Sequence, residues 1–386
     1  MKHVLILGAR APACLEWARA FAKSNWRVSV ADSLHVPLAR ASASVCGFFR
    51  LPEPRREPVR WMRSLCRVVR EQKVDLLLPT CEEVFYLAHG LEDLRKYCRV
   101  FTSGFALLHQ LHHKHRFALQ TAGWPVQAPE TLLLESPSEI LPLVKQSHEW
   151  VFKPAYSRFA SKTLIRPEPC ELSRLEPSPD FPWVAQRFVS GKEHSSFSIL
   201  VNGLLRAHAC YHSLYKVGRG SGIYFTPTDP PKIRAALEHF GKVTGYTGQV
   251  GFDFIEDESG GIHVLECNPR ATSGIHLFEN QPEALVASLF HAVSPSVLAP
   301  TPEPRMVALA VLLFAAPRMF WRAEFRRHFT AARDVILRNG DHGPLAAQLP
   351  GLAEIGLRAV RRRCGLLAAS TSDIEWDGQA LPVFCT

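Results

Sequence analysis

The first hundred residues alternate short apolar runs with helix-like stretches, and no other feature of the chain restricts its fold as strongly. KHVLILGAR reads as a buried strand and turn, CLEWARAFAKS as a helix, and WRVSVADS as a second strand ending at Asp32. VDLLLPT reads as a third strand, followed by the helix-like EEVFYLAHGLEDL. Strands that alternate with helices pair in parallel, so this part predicts a doubly wound parallel sheet. Ligands gather at the carboxyl ends of such strands. The first turn, Gly8-Ala9-Arg10-Ala11-Pro12, lacks the G-x-G-x-x-G glycines that admit a pyrophosphate, so a dinucleotide site is not expected. Thr80-Cys81-Glu82-Glu83 follows the third strand. Glu82 is a candidate substrate contact there, although acids also simply suit a helix N-terminus.

Further along, residues 109–124 read as a helix stopped by Gly123, and a Pro-rich stretch runs from Pro125 to Pro142. The strands EWVFKPA, WVAQRFV, SSFSILVNG and RAHACYH follow, with the proline-rich 167–182 read as irregular. A Gly-rich loop, KVGRGSGIYF, precedes a helix at 230–245. The apolar run Met306–Ala316 is too short to span a bilayer and reads as a buried strand. Asp373–Gly378 reads as a small strand and turn.

Two strand-like runs, QVGFDFIED (249–257) and GIHVLECNP (261–269), flank the hairpin turn signal Glu258-Ser259-Gly260-Gly261. Folding them about that turn sets Asp253 opposite Glu266, with Cβ atoms roughly 5 Å apart. Asn268 shares the Glu266 face because strand side chains alternate. Two carboxylates so close repel unless one is protonated or both share a cation. Asp253, Glu266 and the Asn268 amide oxygen are hard ligands, too few for a Ca²⁺ cage but suited to Mg²⁺ that takes its remaining ligands from phosphates. Arg270, just past the strand, adds positive charge. The bland reading of E-x-N alone is a solvated surface hairpin.

With these residues in place the sequence resembles the ATP-grasp superfamily. The acid followed about a dozen positions later by E-x-N-x-R is matched by Asp253 and Glu266-Cys267-Asn268-Pro269-Arg270. A lysine on a helix ahead of a G-x-P-like segment is matched by Lys114 before Gly123-Trp124-Pro125, and V-x-K-P by Val151-Phe152-Lys153-Pro154. The hinge pattern is matched by Gln186 through Glu193. The resemblance covers roughly residues 1–295. It implies an N-terminal pre-ATP-grasp domain (1–108) and an ATP-grasp domain of two α+β subdomains clasping ATP (109–300); residues 301–386, beyond it, read as a small Arg-rich α/β extension. It further implies Lys114 and Lys153 on the ATP phosphates, and Gln186, Arg187, Phe188 and Val189 around the adenine. Glu193 falls on the ribose. Asp253, Glu266 and Asn268 fall on one or two Mg²⁺, with Mn²⁺ as a substitute, and Arg270 with Lys153 falls on the transferred phosphoryl group. The loop after Lys153 departs from the family's glycine-rich pattern, since residues 155–162 contain no glycine. Ser157 and Ser161, with Arg158 or Lys162, stand in as donors. The implied reaction is ATP-dependent activation of a carboxylate as an acyl phosphate, attacked by an amine. A nucleotide sensor with little turnover, and a carboxylase-type or kinase-like phosphoryl transfer, are the alternatives.

Substrate residues are less legible. His208, His212, Lys216 and Arg219 surround the Gly-rich loop, and His208 and Arg219 are the candidates for an anionic substrate. Formal net charge is +9, carried by 33 Arg and 12 Lys, with ten Arg against four acids between Arg318 and Arg363. That segment suggests a cap on the active site, a homodimer face, a patch for an anionic partner such as a carrier protein or membrane surface, or a solvated helix face. Without interleaved aromatics the arginines do not read as a nucleic-acid site. Ten cysteines lie scattered without a C-x-x-C pair, and Val4–Leu7 is too short for a secretory h-region, so a cytoplasmic protein with reduced thiols is expected.

Overall fold

A computed structural model describes residues 1–157, 162–218, 220–290 and 296–384. Strands β1 (His3–Leu7), β2 (Arg27–Asp32), β3 (Gly47–Arg50), β4 (Leu76–Leu78) and β5 (Arg99–Val100) form a parallel sheet in the order 3-2-1-4-5. The helix Pro12–Lys23 buries Cys14, Leu15, Trp17, Ala18 and Phe21, and Pro12 opens it where a missing N–H costs nothing. Sequence reading missed β3 and β5, which are four and two residues long and carry no alternation of their own.

The expected alternation of a dinucleotide fold is therefore present without its site. Where a pyrophosphate would lie, Arg10 donates to Asp32 at the end of β2, and only about 20 Å³ of space remains beside Gly8. Gly8 has φ +76°, and a Cβ there would sit 2.6 Å from Thr80 Oγ1.

Strands β6 (Thr131–Leu134), β7 (Trp150–Pro154), β8 (Leu164–Ile165) and β9 (Trp183–Arg187) make a four-stranded antiparallel sheet in the order 6-9-7-8. A larger sheet contains β10 (Lys192–Val201), β11 (Leu204–Ser213), β14 (Tyr224–Thr228), β15 (Gly248–Glu256), β16 (Ile262–Asn268), β17 (Arg305–Met306) and β18 (Arg333–Asp334), in the order 16-15-10-11-14-17-18. Two-residue strands β12 (Lys216–Val217) and β13 (Ser221–Gly222) form a small hairpin from the Gly-rich loop. The helix Pro231–Thr244 covers one face of the large sheet and ends at Gly245 in the left-handed region, where glycine carries no Cβ penalty.

Several expectations are corrected. The stretch 109–124 is two helices, Phe105–His112 and Lys114–Gln120, broken at His113, whose side chain caps the second by accepting from Arg116 N. The run Met306–Ala316 is not a strand. Met306 and Val307 are extended, and the chain is helical from Ala308 to Met319. Asp373–Gly378 forms no strand, yet it packs back on the N-terminal sheet, with Ile374 and Trp376 buried. Among the described residues all nine cysteines are free, and no helix is long and apolar enough to cross a membrane.

Candidate active site

The register of β15 with β16 pairs Asp253 directly with Glu266 and Gly251 with Asn268. A β-bulge after Asp253 shifts the ladder there, leaving Leu265 as the extra residue of β16 next to Glu266. Asn268 Nδ2 donates to Asp253 Oδ2 at 3.1 Å, and Ser195 Oγ, in register on β10, donates to Asp253 Oδ1 at 2.6 Å. Arg270 Nη2 donates to Asn268 Oδ1 at 3.0 Å, and its Nε lies 3.5 Å from Glu82 Oε1. Glu82, at the carboxyl end of β4, thus reaches across from the N-terminal sheet to the site.

Two buried lysines approach from the other side. Lys114 begins its helix, its backbone N–H donates to Ala155 O, and its Nζ lies 3.3 Å from Glu266 Oε2 and 3.2 Å from Ser157 O. Lys153, on β7, donates from Nζ to Gln186 Oε1 at 3.0 Å, and Gln186 Nε2 in turn donates to Thr131 Oγ1. Gln186 Nε2 also reaches Leu265 O at 3.5 Å, which ties the small sheet to β16.

The electrostatics divide the pair. Burial and the Glu266 charge push the Asp253 carboxyl up to about 6. Burial also pushes Glu266 up, but the Lys114 and Lys153 charges outweigh it and hold that carboxyl down at about 2. Burial lowers Lys153 to about 8, with Lys114 adding to the fall and the Glu266 and Asp253 charges opposing it. Among the described residues no three His, Cys, Asp or Glu side chains gather to hold a metal. Asp253 and Glu266 supply two carboxylates, and the Asn268 amide beside them has its nitrogen on Asp253 and its oxygen on Arg270; with that amide reversed, the three oxygens fit a hard cation that is partly hydrated.

The hinge residues lie on β9 and just beyond it. Arg187 turns outward over the Trp150 ring at 4.4 Å and pairs with Glu149 and Glu130. The Arg187 and Phe188 amides donate to Glu130 O and Glu149 O. Phe188 lies under the Arg166 guanidinium, and Val189 is half-buried beside it. Glu193 lies on the Asp253 face of β10, two residues before Ser195, where Lys216 of the small hairpin pairs with it. His208 is a correction. It lies three residues from Tyr211, which pairs with Ser195, so it falls on the opposite face, buried against Ser198 Oγ at 2.9 Å. Ser157 contributes its carbonyl, and Ser161 and Arg219 lie outside the described residues.

A cleft of about 790 Å³ opens beside this cluster, lined in part by Glu82, His112, Tyr156, Ser157, Trp183 and Trp376. Sequence reading missed Ser195 and Trp376. Ser195 was legible as the strand position opposite Asp253, whereas nothing local tied Trp376 to a site more than a hundred residues away.

A parallel α/β domain, a lysine-bearing small sheet and a large sheet ending in paired acids together define an ATP-grasp architecture. Residues 118–274 match the family model described as the ATP-grasp domain. Among solved structures the chain resembles N5-carboxyaminoimidazole synthetase from Staphylococcus aureus, at 13% identity and a TM-score of 0.61, over 83% of this chain and 86% of that one. It also resembles L-amino acid ligase from Bacillus licheniformis, at 13% identity and 0.58, over 75% and 74%. A third is the biotin carboxylase domain of 2-oxoglutarate carboxylase from Hydrogenobacter thermophilus, solved with MgADP and bicarbonate, at 13% and 0.59, over 78% and 73%. No curated protein matches the sequence.

Proposed function

We propose that the protein is an ATP-dependent carboxylate–amine ligase that forms an acyl phosphate and releases ADP and phosphate. The observation that carries this reading is the convergence of Lys114 and Lys153 on the Asp253–Glu266 pair, with Arg270 beside it. Opposed charges held in a half-exposed cleft suit phosphoryl transfer, where positioning and charge neutralisation supply most of the rate. The known ATP-grasp structures with ADP and MgADP among the similar proteins support the nucleotide and the metal.

Asp253, Glu266 and Asn268 would hold Mg²⁺, or Mn²⁺ in its place; when bound, the ion neutralises phosphate charge and polarises the phosphoryl oxygens. Lys114 and Lys153 bind the triphosphate and orient its terminal group. Arg270 steadies the charge that develops on the phosphoryl oxygens, and Glu82 fixes the guanidinium in place. Glu193 accepts from the ribose hydroxyls once Lys216 yields it. The carboxylate and amine enter through the cleft beside Glu82 and Trp376, which keeps the acyl phosphate apart from bulk water. A second reading keeps this chemistry with bicarbonate as the carboxylate, and the bicarbonate-bound neighbour favours it.

The test is ADP release by the full chain with ATP and Mg²⁺, against pools of amino acids, carboxylic acids and bicarbonate. Release that requires both a carboxylate and an amine is expected. A nucleotide-induced thermal shift with no release under any pair would instead mark a sensor.

A further inference from the structure

The helical pair that follows β17 has an inner face and an outer face of opposite character. Inside, Val311, Ala315, Ala316 and Phe325 pack with Tyr215, Ile223, Tyr224 and Met306 and anchor the pair to the large sheet. Tyr215 OH meets His328 Nδ1 at 2.9 Å, which fastens the second helix to the same anchor. The inner face is thus complete, and the outer residues are not needed to close the core.

Outside, the three successive helical residues Leu312, Leu313 and Phe314 are exposed, and so are Phe320 and Trp321 in the turn between the helices. Trp321 is 85% exposed. Arg326 Nη1 donates to Trp321 O at 3.2 Å and stiffens that turn, so the two aromatic rings, 5.7 Å apart, project from a held backbone. Within the same stretch Arg318, Arg322, Arg326 and Arg327 are exposed, against the single acid Glu324 between Val307 and Ala331. Five large apolar side chains exposed within ten residues of a folded chain mark an interaction surface.

The combination of chemistry selects the partner. Leucine and phenylalanine with a protruding tryptophan suit the boundary between acyl chains and headgroups, where an indole has one apolar and one wet side. The exposed arginines extend along that boundary and meet anionic phosphates. We propose that this surface docks the protein on an anionic phospholipid bilayer, with Phe320 and Trp321 inserted and the arginines on the headgroups. Binding is reversible, because one turn and one helix face bury far less than a spanning helix does.

The experiment is co-sedimentation of the full chain with vesicles of phosphatidylglycerol in phosphatidylcholine, and with phosphatidylcholine alone. The expected result is retention on the anionic vesicles only, weakened by salt and reduced roughly tenfold by Trp321→Glu, which removes the inserted ring and adds a repelled charge. Trp321 makes no core contact, so this variant keeps the wild-type melting temperature, and Phe320→Ser serves as an independent second variant. No retention on the anionic vesicles overturns the proposal, as does retention that both variants leave unchanged. A dimer in sedimentation equilibrium that Trp321→Glu converts to monomer also overturns it, since a second copy then covers the patch.

Discussion

Asp253 and Glu266 are neighbours of the same charge displaced in opposite directions, to about 6 and about 2. The lysines lie on the Glu266 side, and that asymmetry makes one member of the pair a standing anion and the other a site where proton and cation compete. Asp253 binds a proton below about pH 6, so a metal must displace that proton there. Lys153 loses its proton above about pH 8 in the unliganded protein. Mg²⁺-dependent nucleotide binding is therefore expected to peak between these values, falling about tenfold per pH unit on the acid side while Asp253 protonates. Isothermal titration of MgATP across pH 5 to 9 checks this, and an acid limb absent in Asp253→Asn would identify the group. The same substitution is expected to lower ADP release by roughly 100-fold or more, because it removes one of the two carboxylates proposed to hold the metal. Much of this cluster was legible beforehand: the alternation of strand side chains and a four-residue turn were enough to oppose Asp253 and Glu266. His208 was misassigned for the complementary reason. Its sequence neighbourhood was basic, but parity along β11 decides its face, and the register was needed to see it.

Among the elements, the loop after Lys153 lacks the glycines expected over a triphosphate, and its described beginning shows a different device. Tyr156 OH meets His109 Nε2 at 2.6 Å, and its ring lies against His113 and Trp376. Gly378 closes on the same ring: its φ is +96°, and a Cβ there would come within 2.5 Å of Tyr156 Cε2. The base of the loop is thus held by the C-terminal tail. Gly378→Ala is expected to cost about 1–3 kcal/mol in urea unfolding, through the clash and the left-handed backbone together. It should also raise the KM for ATP relative to wild type. Such a contact between positions more than two hundred residues apart leaves no local pattern in a sequence. The misread run Met306–Ala316 failed differently. A continuous apolar stretch fits a buried strand or a helix equally, and the alanines at 308, 310, 315 and 316 tip it to helix.

At the scale of the molecule, residues 305–334 belong to the large sheet and its helical pair, whereas the chain from about Arg338 onward forms a belt along the N-terminal domain. Arg19 pairs with Asp341 at 2.8 Å, Arg338 with Glu16 at 3.0 Å, and Arg55 with Asp377 at 2.5 Å. The tightest knot joins Arg10 to Asp32 and Asp373, each at 2.6 Å, with Ser33 and Arg358 on the same Asp373 carboxylate. Asp373 is fully buried, and although burial raises its carboxyl, the Arg10 charge and hydrogen bond hold it far below the ordinary range. A carboxylate so depressed contributes stability that is complete above its unfolded value near pH 4 and is lost as pH falls toward the folded value. Asp373→Ala leaves Arg10 and Arg358 short of a buried counter-charge, and a loss of about 3 kcal/mol or more is expected in urea unfolding at neutral pH. The variant should also lose the part of the wild type's acid sensitivity that this group supplies. Because the tail carries Trp376 into the cleft and Gly378 against Tyr156, releasing the knot should expose residues near 372–380 to protease before the rest of the chain unfolds. Limited proteolysis read by mass spectrometry tests that order. Cleavage appearing only together with global unfolding would mean that the belt and the sheet form one cooperative unit.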